Sequence, residues 1–200
     1  MNWARPETPC SVGPLVNVYN EATLAFLARQ GARRFCFPPE IPFASVEALT
    51  AAAVACGAEI ELWAYGRIPL AISGRCYHAW VHCLSKDSCQ FVCAQDADGL
   101  TGRTIDGADF LAINGVQTLS HKYCNLIGDP DLLAKAGVSS LRLSPHSGDF
   151  IAVTQVFADV ASGALSRSEG LARLRQAAPD VEFSNGFLFG DCGAAALTVA

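Results

Sequence analysis

The order in which strand-like and helix-like patterns follow one another is the strongest constraint on the fold of this chain. Short apolar, β-prone runs alternate with helical spacings over most of the sequence. The predicted strands span residues 15–19, 34–37, 60–65, 110–113 and 140–143, and the predicted helices span residues 21–30, 45–56, 131–136 and 149–162. Such alternation is typical of parallel β/α architecture with right-handed crossovers.

The number of these units decides between a closed barrel and a smaller assembly. About five β/α units are visible, whereas a complete eight-stranded barrel usually takes about 250 residues. We therefore predict an α/β fold that is a partial parallel β/α (TIM-like) barrel, or alternatively an open α/β sheet. The predicted organisation is a separate segment 1–13, a barrel portion 14–165 with a cysteine-rich insertion at 65–93, and a C-terminal tail 166–200.

Composition narrows the class of protein. Apolar residues make up 51% of the chain and charged residues 16%, which is too apolar for a disordered protein, and the net charge of −5 without a basic cluster argues against nucleic acid as a partner. No run of about 18 apolar residues indicates a membrane span, and the start of the chain lacks the features of a signal peptide. We therefore expect a cytoplasmic protein whose nine cysteines are reduced.

Four of these cysteines fall in one segment, residues 65–93, which breaks the alternation (YGRIPLAISGRCYHAWVHCLSKDSCQFVC). Cys76, Cys89 and Cys93 have a C-x12-C-x3-C spacing, and Gly74 lets the backbone turn close to an inorganic centre. The segment follows the third predicted strand, where β/α folds place their sites. Iron–sulfur clusters take cysteine thiolates, and zinc favours paired knuckles, of which only one is present. Cluster, zinc and plain buried thiols all remain open on spacing alone.

Several short motifs around these cysteines resemble the collagenase-like peptidase family, and within it the branch that acts in ubiquinone biosynthesis. The resemblance covers about residues 14–160 and rests on 18–20 (VYN), 69–71 (PLA), 73–76 (SGRC), 86–87 (KD), 114–118 (NGVQT), 142–145 (RLSP) and the three-cysteine spacing.

The resemblance implies a 4Fe–4S cluster with Cys76, Cys89 and Cys93 as ligands. It also implies a role in oxygen-independent hydroxylation of a ubiquinone precursor, within a heterodimer with a UbiU-like protein. The fourth ligand of that family lies in an N-terminal segment without a counterpart here, so the chain is expected to be N-terminally truncated relative to the family.

Another cysteine of the chain could in principle replace that fourth ligand. Cys124 follows the fourth predicted strand and ranks first, although a small buried residue is its simpler interpretation. Cys10 precedes the first strand and belongs on the opposite face, and Cys36 is followed by two prolines.

Three other interpretations compete with a cluster-binding subunit that acts in catalysis. A peptidase would need Cys76 as nucleophile with His78 or His82 as base, but sequence neighbours rarely reach that geometry and no third, orienting group can be named. A non-catalytic assembly subunit and a truncated, non-functional fragment are the other two. The Asp-rich stretch from Asp96 lacks the order of a calcium loop and is interpreted as a solvated loop.

Overall fold

The computed structural model describes residues 9–197, which form one eight-stranded mixed sheet with helices packed against it. The strands are β1 (Cys10–Val12), β2 (Ala32–Cys36), β3 (Glu59–Ile72), β4 (Leu100–Arg103), β5 (Asp109–Asn114), β6 (Gln117–Asn125), β7 (Ser140–Leu143) and β8 (Phe183–Ser184). The helices are α1 (Glu21–Arg29), α2 (Phe43–Ala55), α3 (Tyr77–Val81), α4 (Pro130–Lys135), α5 (Phe150–Ala161) and α6 (Arg167–Ala177). Residues 1–8 of the predicted separate segment and 198–200 of the predicted tail lie outside the described residues.

The sheet combines a parallel part with an antiparallel part. Strands β1, β2, β3 and β7 are mutually parallel neighbours, as the alternation predicted. Strand β6 then pairs antiparallel with β3, and β5 and β4 continue as an antiparallel meander. Over residues 9–197 the sheet is open, with order β1-β2-β3-β6-β5-β4. The α/β class is confirmed and the sheet is the open alternative; a TIM-like barrel is not confirmed.

The long strand β3 explains this arrangement. Glu61 pairs with both Cys36 of β2 and Ser140 of β7, and Tyr65 pairs with both Asn125 of β6 and Leu143 of β7. Since a strand has two edges, β7 occupies one, while β2 and β6 lie end to end along the other. The sequence predicted that this strand stops at Tyr65, but it continues to Ile72 and so creates the edge on which β6 returns.

One predicted strand, 15–19, is wrong, and most predicted helices are confirmed. Pro14–Val16 is a 3₁₀ turn that ends at Asn17 in the left-handed region, and the first strand lies earlier, at β1. Proline has no N–H to give to a ladder, which explains why pairing stops before it. Helix α1 begins as predicted, with the Asn20 side chain accepting a hydrogen bond from the Thr23 amide at 2.8 Å.

The core lies between the parallel strands and the helices, and it is built around the ring of Tyr65. That ring is fully buried and meets Phe157 of α5 edge-on, with ring centroids 5.7 Å apart. Helix α6 has a complete capping box between Ser166 and Glu169 and packs on α5. In residues 9–197, none of the helices combines the length and apolarity needed to cross a bilayer. The sheet and core thus form a fixed platform for the segment that leaves the end of β3.

Candidate functional site

The segment that carries three of the predicted site residues joins β3 to β4 and is here called the cysteine segment, residues 73–99. It contains helix α3 and two 3₁₀ turns, Lys86–Ser88 and Val92–Gln95. Helix α3 packs against the second of these turns and against β5. The segment therefore starts at the carboxyl end of a central strand, as predicted.

Cys76 lies directly before helix α3 and caps it. Its sulfur accepts a hydrogen bond from the Ala79 amide at 3.4 Å, and the side chain is half-buried. Backbone amides that point at a sulfur are one of the means by which proteins tune iron–sulfur ligands. The position gives Cys76 a defined orientation together with partial access from outside.

Cys89 and Cys93 flank a strained stretch of backbone. Cys89 ends the first 3₁₀ turn, Cys93 lies in the second, and both are half-buried. Gln90 and Phe91, between them, both have left-handed φ angles, 51° and 55°. Such conformations cost non-glycine residues of the order of 1–3 kcal/mol each and cluster at ligand-binding sites. Of the four non-glycine residues with positive φ among residues 9–197, three lie in the cysteine segment.

Two contacts hold the three cysteine-bearing pieces together. The Lys86 ammonium donates to the Gly74 carbonyl at 3.3 Å and ties the turn before Cys89 to the loop before Cys76. The packing of α3 on the turn Val92–Gln95 brings the elements of Cys76 and Cys93 into contact. The three sulfurs do not form a group in which all lie within 4.8 Å of one another, as ligands of a single ion would. A four-iron cluster spreads its thiolates over separate irons, so its ligands need no such close group.

The other cysteines differ in burial from these three. Cys124, the predicted in-chain substitute for a fourth ligand, is buried, and its thiol donates to the Trp63 carbonyl at 3.7 Å. Burial raises the pKa of Cys124 to about 12, which disfavours the thiolate that a metal requires. Burial likewise raises the pKa of Cys36 to about 12, with Glu61 adding to the effect. Both are therefore poor ligands as they stand.

Cys10 is also separated from the cysteine segment. It begins β1 and pairs with Ala32 at the start of β2, on the side where β3 begins. The cysteine segment follows the opposite end of β3, and a strand of that length spans roughly 40 Å. This agrees with the predicted placement of Cys10 on the other face.

A second group in the same segment consists of His78, His82 and Asp96, whose ligand atoms lie within 4.8 Å of one another. His78 is completely buried; its Nε2 lies 3.0 Å from Asp96 Oδ2 and its Nδ1 lies 3.3 Å from the Ile113 carbonyl oxygen. The His82 ring stacks on the His78 ring at 5.6 Å, tilted by 11°. The sequence signal that could have found two of these residues is the H-x3-H spacing, about one helical turn between two potential metal ligands.

This arrangement does not favour Cys76 and His78, one of the two nucleophile–base pairs that a peptidase would need. His78 directs its two nitrogens to Asp96 and Ile113, and the Cys76 sulfur is bound by the Ala79 amide. The structure therefore gives no support to Cys76 and His78 as nucleophile and base.

A polar cavity of about 150 Å³ lies beside the segment, against one face of the paired strands β3 and β6. Its wall includes Asp98 of the cysteine segment, and Arg67, whose guanidinium lies 4.8 Å above the Tyr123 ring. The hydroxyl of the nearby Tyr65 hydrogen-bonds to His146 Nε2 at 3.1 Å. Aromatic faces next to hydrogen-bonding groups suit a phenolic ring. Arg142 is engaged elsewhere, in an ion pair with Glu61.

Comparison with known proteins gives one family match. A family model described as Peptidase family U32 matches residues 2–197, a wider stretch than the residues 14–160 on which the motifs rest. No solved structure matches this chain. The family match thus covers both the sheet and the whole cysteine segment.

Proposed function

We propose that this chain, which belongs to peptidase family U32, is a UbiV-like, iron–sulfur-binding subunit. Family U32 is the collagenase-like family that the sequence motifs predict. It serves oxygen-independent hydroxylation in ubiquinone biosynthesis and acts as a heterodimer with a UbiU-like partner. The observation that carries the proposal is the placement of Cys76, Cys89 and Cys93, all half-buried, on one segment whose pieces contact each other.

The chemistry of the donor set fits a cluster. Three cysteines that are neither buried in the core nor fully exposed can become thiolates and remain shielded from bulk water. When bound, a 4Fe–4S cluster supplies one-electron redox chemistry. The chain holds it through Cys76, Cys89 and Cys93 and offers the Ala79 amide to the first of these sulfurs. A fourth ligand from outside residues 9–197 is consistent with the family pattern, because Cys124 and Cys36 are buried thiols.

The surface of the cysteine segment supports a protein partner. Tyr77, Trp80, Val81 and Phe91 are apolar and exposed, with Trp80 at 74% and Phe91 at 79%. Exposed apolar groups that lie together mark interaction sites, and Trp and Tyr are frequent anchors of interfaces. A UbiU-like partner that docks here would cover the cysteines and exclude water from them.

The cavity against β3 and β6 supports an aromatic substrate. Its wall includes Ala97 and Asp98, so a bound ring would contact the segment that carries the proposed cluster ligands. Arg67 and Tyr123 would hold the ring in place.

Anaerobic reconstitution with ferrous iron and sulfide tests the proposal. The chain, alone and with its UbiU-like partner, should gain the visible thiolate-to-iron absorbance band and bind iron and sulfide in equal amounts. Serine substitution at Cys76, Cys89 or Cys93 should each abolish this gain. Cys83→Ser is the matched control, because Cys83 is in the same segment but exposed, and Cys10→Ser and Cys192→Ser are further controls. Full cluster content in the Cys89→Ser variant would overturn the assignment.

A further inference from the structure

We propose that His78, His82 and Asp96 form a binding site for a single divalent transition metal ion of the zinc class, separate from the cysteine ligands. Each of the three residues offers one ligand atom, and these atoms lie within 4.8 Å of one another. The site is assigned from these side chains alone and does not depend on the cluster proposed above.

The hydrogen bonds of His78 leave a gap that a cation fills. The Ile113 carbonyl can only accept, so Nδ1 of His78 is the donor in that 3.3 Å contact. In the neutral ring Nε2 then carries a lone pair, which faces a carboxylate oxygen of Asp96 at 3.0 Å. Two acceptors that face each other need a positive charge between them. A histidine that donates one ring N–H to a backbone carbonyl while the other nitrogen binds a metal is the usual arrangement of metal ligands.

The environment of His82 favours a metal ion over a proton between His78 and Asp96. A protonated His78 would satisfy Ile113 and Asp96, but it would leave His82 unexplained. Nε2 of His82 is buried and has no hydrogen-bond partner among residues 9–197, although its ring stacks on that of His78. A buried polar atom without a partner costs about 1–3 kcal/mol. A metal ion shared by the three side chains gives each of them a partner.

The donor set and spacing match zinc better than magnesium or calcium. Two imidazole nitrogens and one carboxylate oxygen are a common ligand set of zinc, whereas the hard cations prefer oxygen alone. Tetrahedral zinc with bonds of about 2.0–2.1 Å separates its ligands by about 3.3 Å, close to the 3.0 Å between His78 and Asp96. The Asp96 side chain is 30% exposed, so water can reach a fourth coordination position.

Such an ion would also position the cysteines. Helix α3, which carries His78, begins directly after Cys76, and Asp96 follows the turn that contains Cys93. The ligands of the ion would therefore link two of the three pieces that bear cysteines. The site would act on Cys76 and Cys93 by positioning them.

Zinc binding by the full chain with Cys76, Cys89 and Cys93 all replaced by serine tests the proposal. After incubation with zinc and dialysis, this variant should retain one zinc per chain. Adding Asp96→Asn or His82→Ala should weaken zinc binding at least tenfold. With Co²⁺ in place of zinc, the first equivalent bound by this variant should give visible ligand-field bands without a thiolate charge-transfer band. Absence of bound zinc, or thiolate charge transfer in that first equivalent, would overturn it.

His121→Ala is the matched control, because His121 also has a buried nitrogen without a partner among the described residues but lies outside the group. It should leave zinc binding unchanged. Asp96→Asn changes a carboxylate to an amide of the same shape, so it decides the matter should His82→Ala fail to fold. Because the cysteines are absent, a negative result here leaves cluster reconstitution untouched, and a failed reconstitution leaves this result untouched.

Discussion

Single residues set the geometry where β3 changes from parallel to antiparallel pairing, and Gly66 is the clearest of them. Its φ is +109°, and a Cβ at this position would lie 2.5 Å from the Ser144 Cβ and 3.0 Å from the Ser144 carbonyl oxygen. The position tolerates no side chain for two separate reasons, backbone conformation and close approach of the chain that follows β7.

Gly66→Ala should therefore lower the free energy of unfolding by about 3 kcal/mol, combining backbone strain with steric overlap. Urea unfolding at equilibrium measures this. Gly74→Ala is the control, because Gly74 has ordinary backbone angles and a methyl group there would meet nothing within 4 Å; it should change stability by less than about 0.5 kcal/mol. Equal effects of the two substitutions would contradict the argument.

A second residue-scale prediction concerns the buried thiol of Cys124. Burial raises its pKa from 9.0 to about 12, so the folded protein keeps this proton where the unfolded chain loses it. The free energy of unfolding should fall as the pH rises from about 9 towards 12, by about 1.4 kcal/mol per pH unit from this group.

Cys124→Ala removes that contribution. The variant should be less stable at pH 7, because it leaves a small cavity, and the difference from the unsubstituted protein should shrink above about pH 9. Denaturant unfolding between about pH 7 and 10.5 measures it. Cys192→Ala, at an exposed thiol, should keep the full pH dependence. A constant difference between Cys124→Ala and the unsubstituted protein across this range would show that the thiol does not titrate as argued.

Among the secondary-structure elements, α5 and α6 approach each other closely, and Gly170 makes this possible. A Cβ at Gly170 would lie 2.3 Å from Cγ2 of Val160. Gly170→Ala improves helix propensity by about 1 kcal/mol but overpacks this contact, and we expect a net loss of about 1–2 kcal/mol.

The double variant Val160→Ala/Gly170→Ala checks the cause of that loss. Removing the methyl groups of Val160 makes room for the new methyl group, so the double variant should be more stable than the sum of the single effects by at least about 1 kcal/mol. Thermal and urea unfolding of the four proteins measure the coupling. If the two changes in the free energy of unfolding simply add, the loss caused by Gly170→Ala does not come from the contact with Val160.

The elements also show why the sequence predicts some of the fold and misses the rest. Strand β7 and helix α1 follow local signals, an alternation of polar residues and leucines in β7 and the Asn20 cap of α1. Both agree with the sequence prediction to within about a residue or two. Strand β6 escapes prediction because most of its residues are polar and only its last three are buried. Its partner is the part of β3 that contains Gly66 and Pro69, residues typical of turns.

The same reasoning applies to the site. Spacing and motifs are local in the chain, so they identify Cys76, Cys89 and Cys93. The sequence places Asp96 in a stretch that is interpreted as a solvated loop. Its contact with His78 depends on how the residues between them fold, so no regular spacing in the sequence indicates it. From the sequence, His82 is only a possible base for Cys76. Its stacking on His78 depends on the helical turn of α3 that separates the two residues.

On the scale of the whole molecule, several large exposed apolar side chains lie on the cysteine segment, and this predicts where the proposed partner would bind. Replacing Trp80 and Phe91 together by serine should weaken binding of a UbiU-like partner at least tenfold, because large aromatic anchors carry much of the energy of an interface. Titration calorimetry or size-exclusion chromatography of the mixed proteins measures it.

Ile105→Ser is the control for that experiment. Ile105 is fully exposed and apolar, but it lies in the turn between β4 and β5, outside the cysteine segment. It should leave the affinity unchanged. A loss of affinity with Ile105→Ser comparable to that of the double variant would indicate a general effect of surface apolarity and contradict a specific interface.

The three-partner pairing of β3 has a consequence for how the protein is made. Its two edges are completed by strands from both sides of it in sequence, and the last of them ends at Leu143. A nascent chain that has emerged only through Ile72 therefore carries a long, largely apolar strand of which only the start can pair, with β2, a state that favours aggregation. Ribosome-bound chains should become protease-resistant only after β7 has left the exit tunnel, and chaperone binding should be strongest before that point.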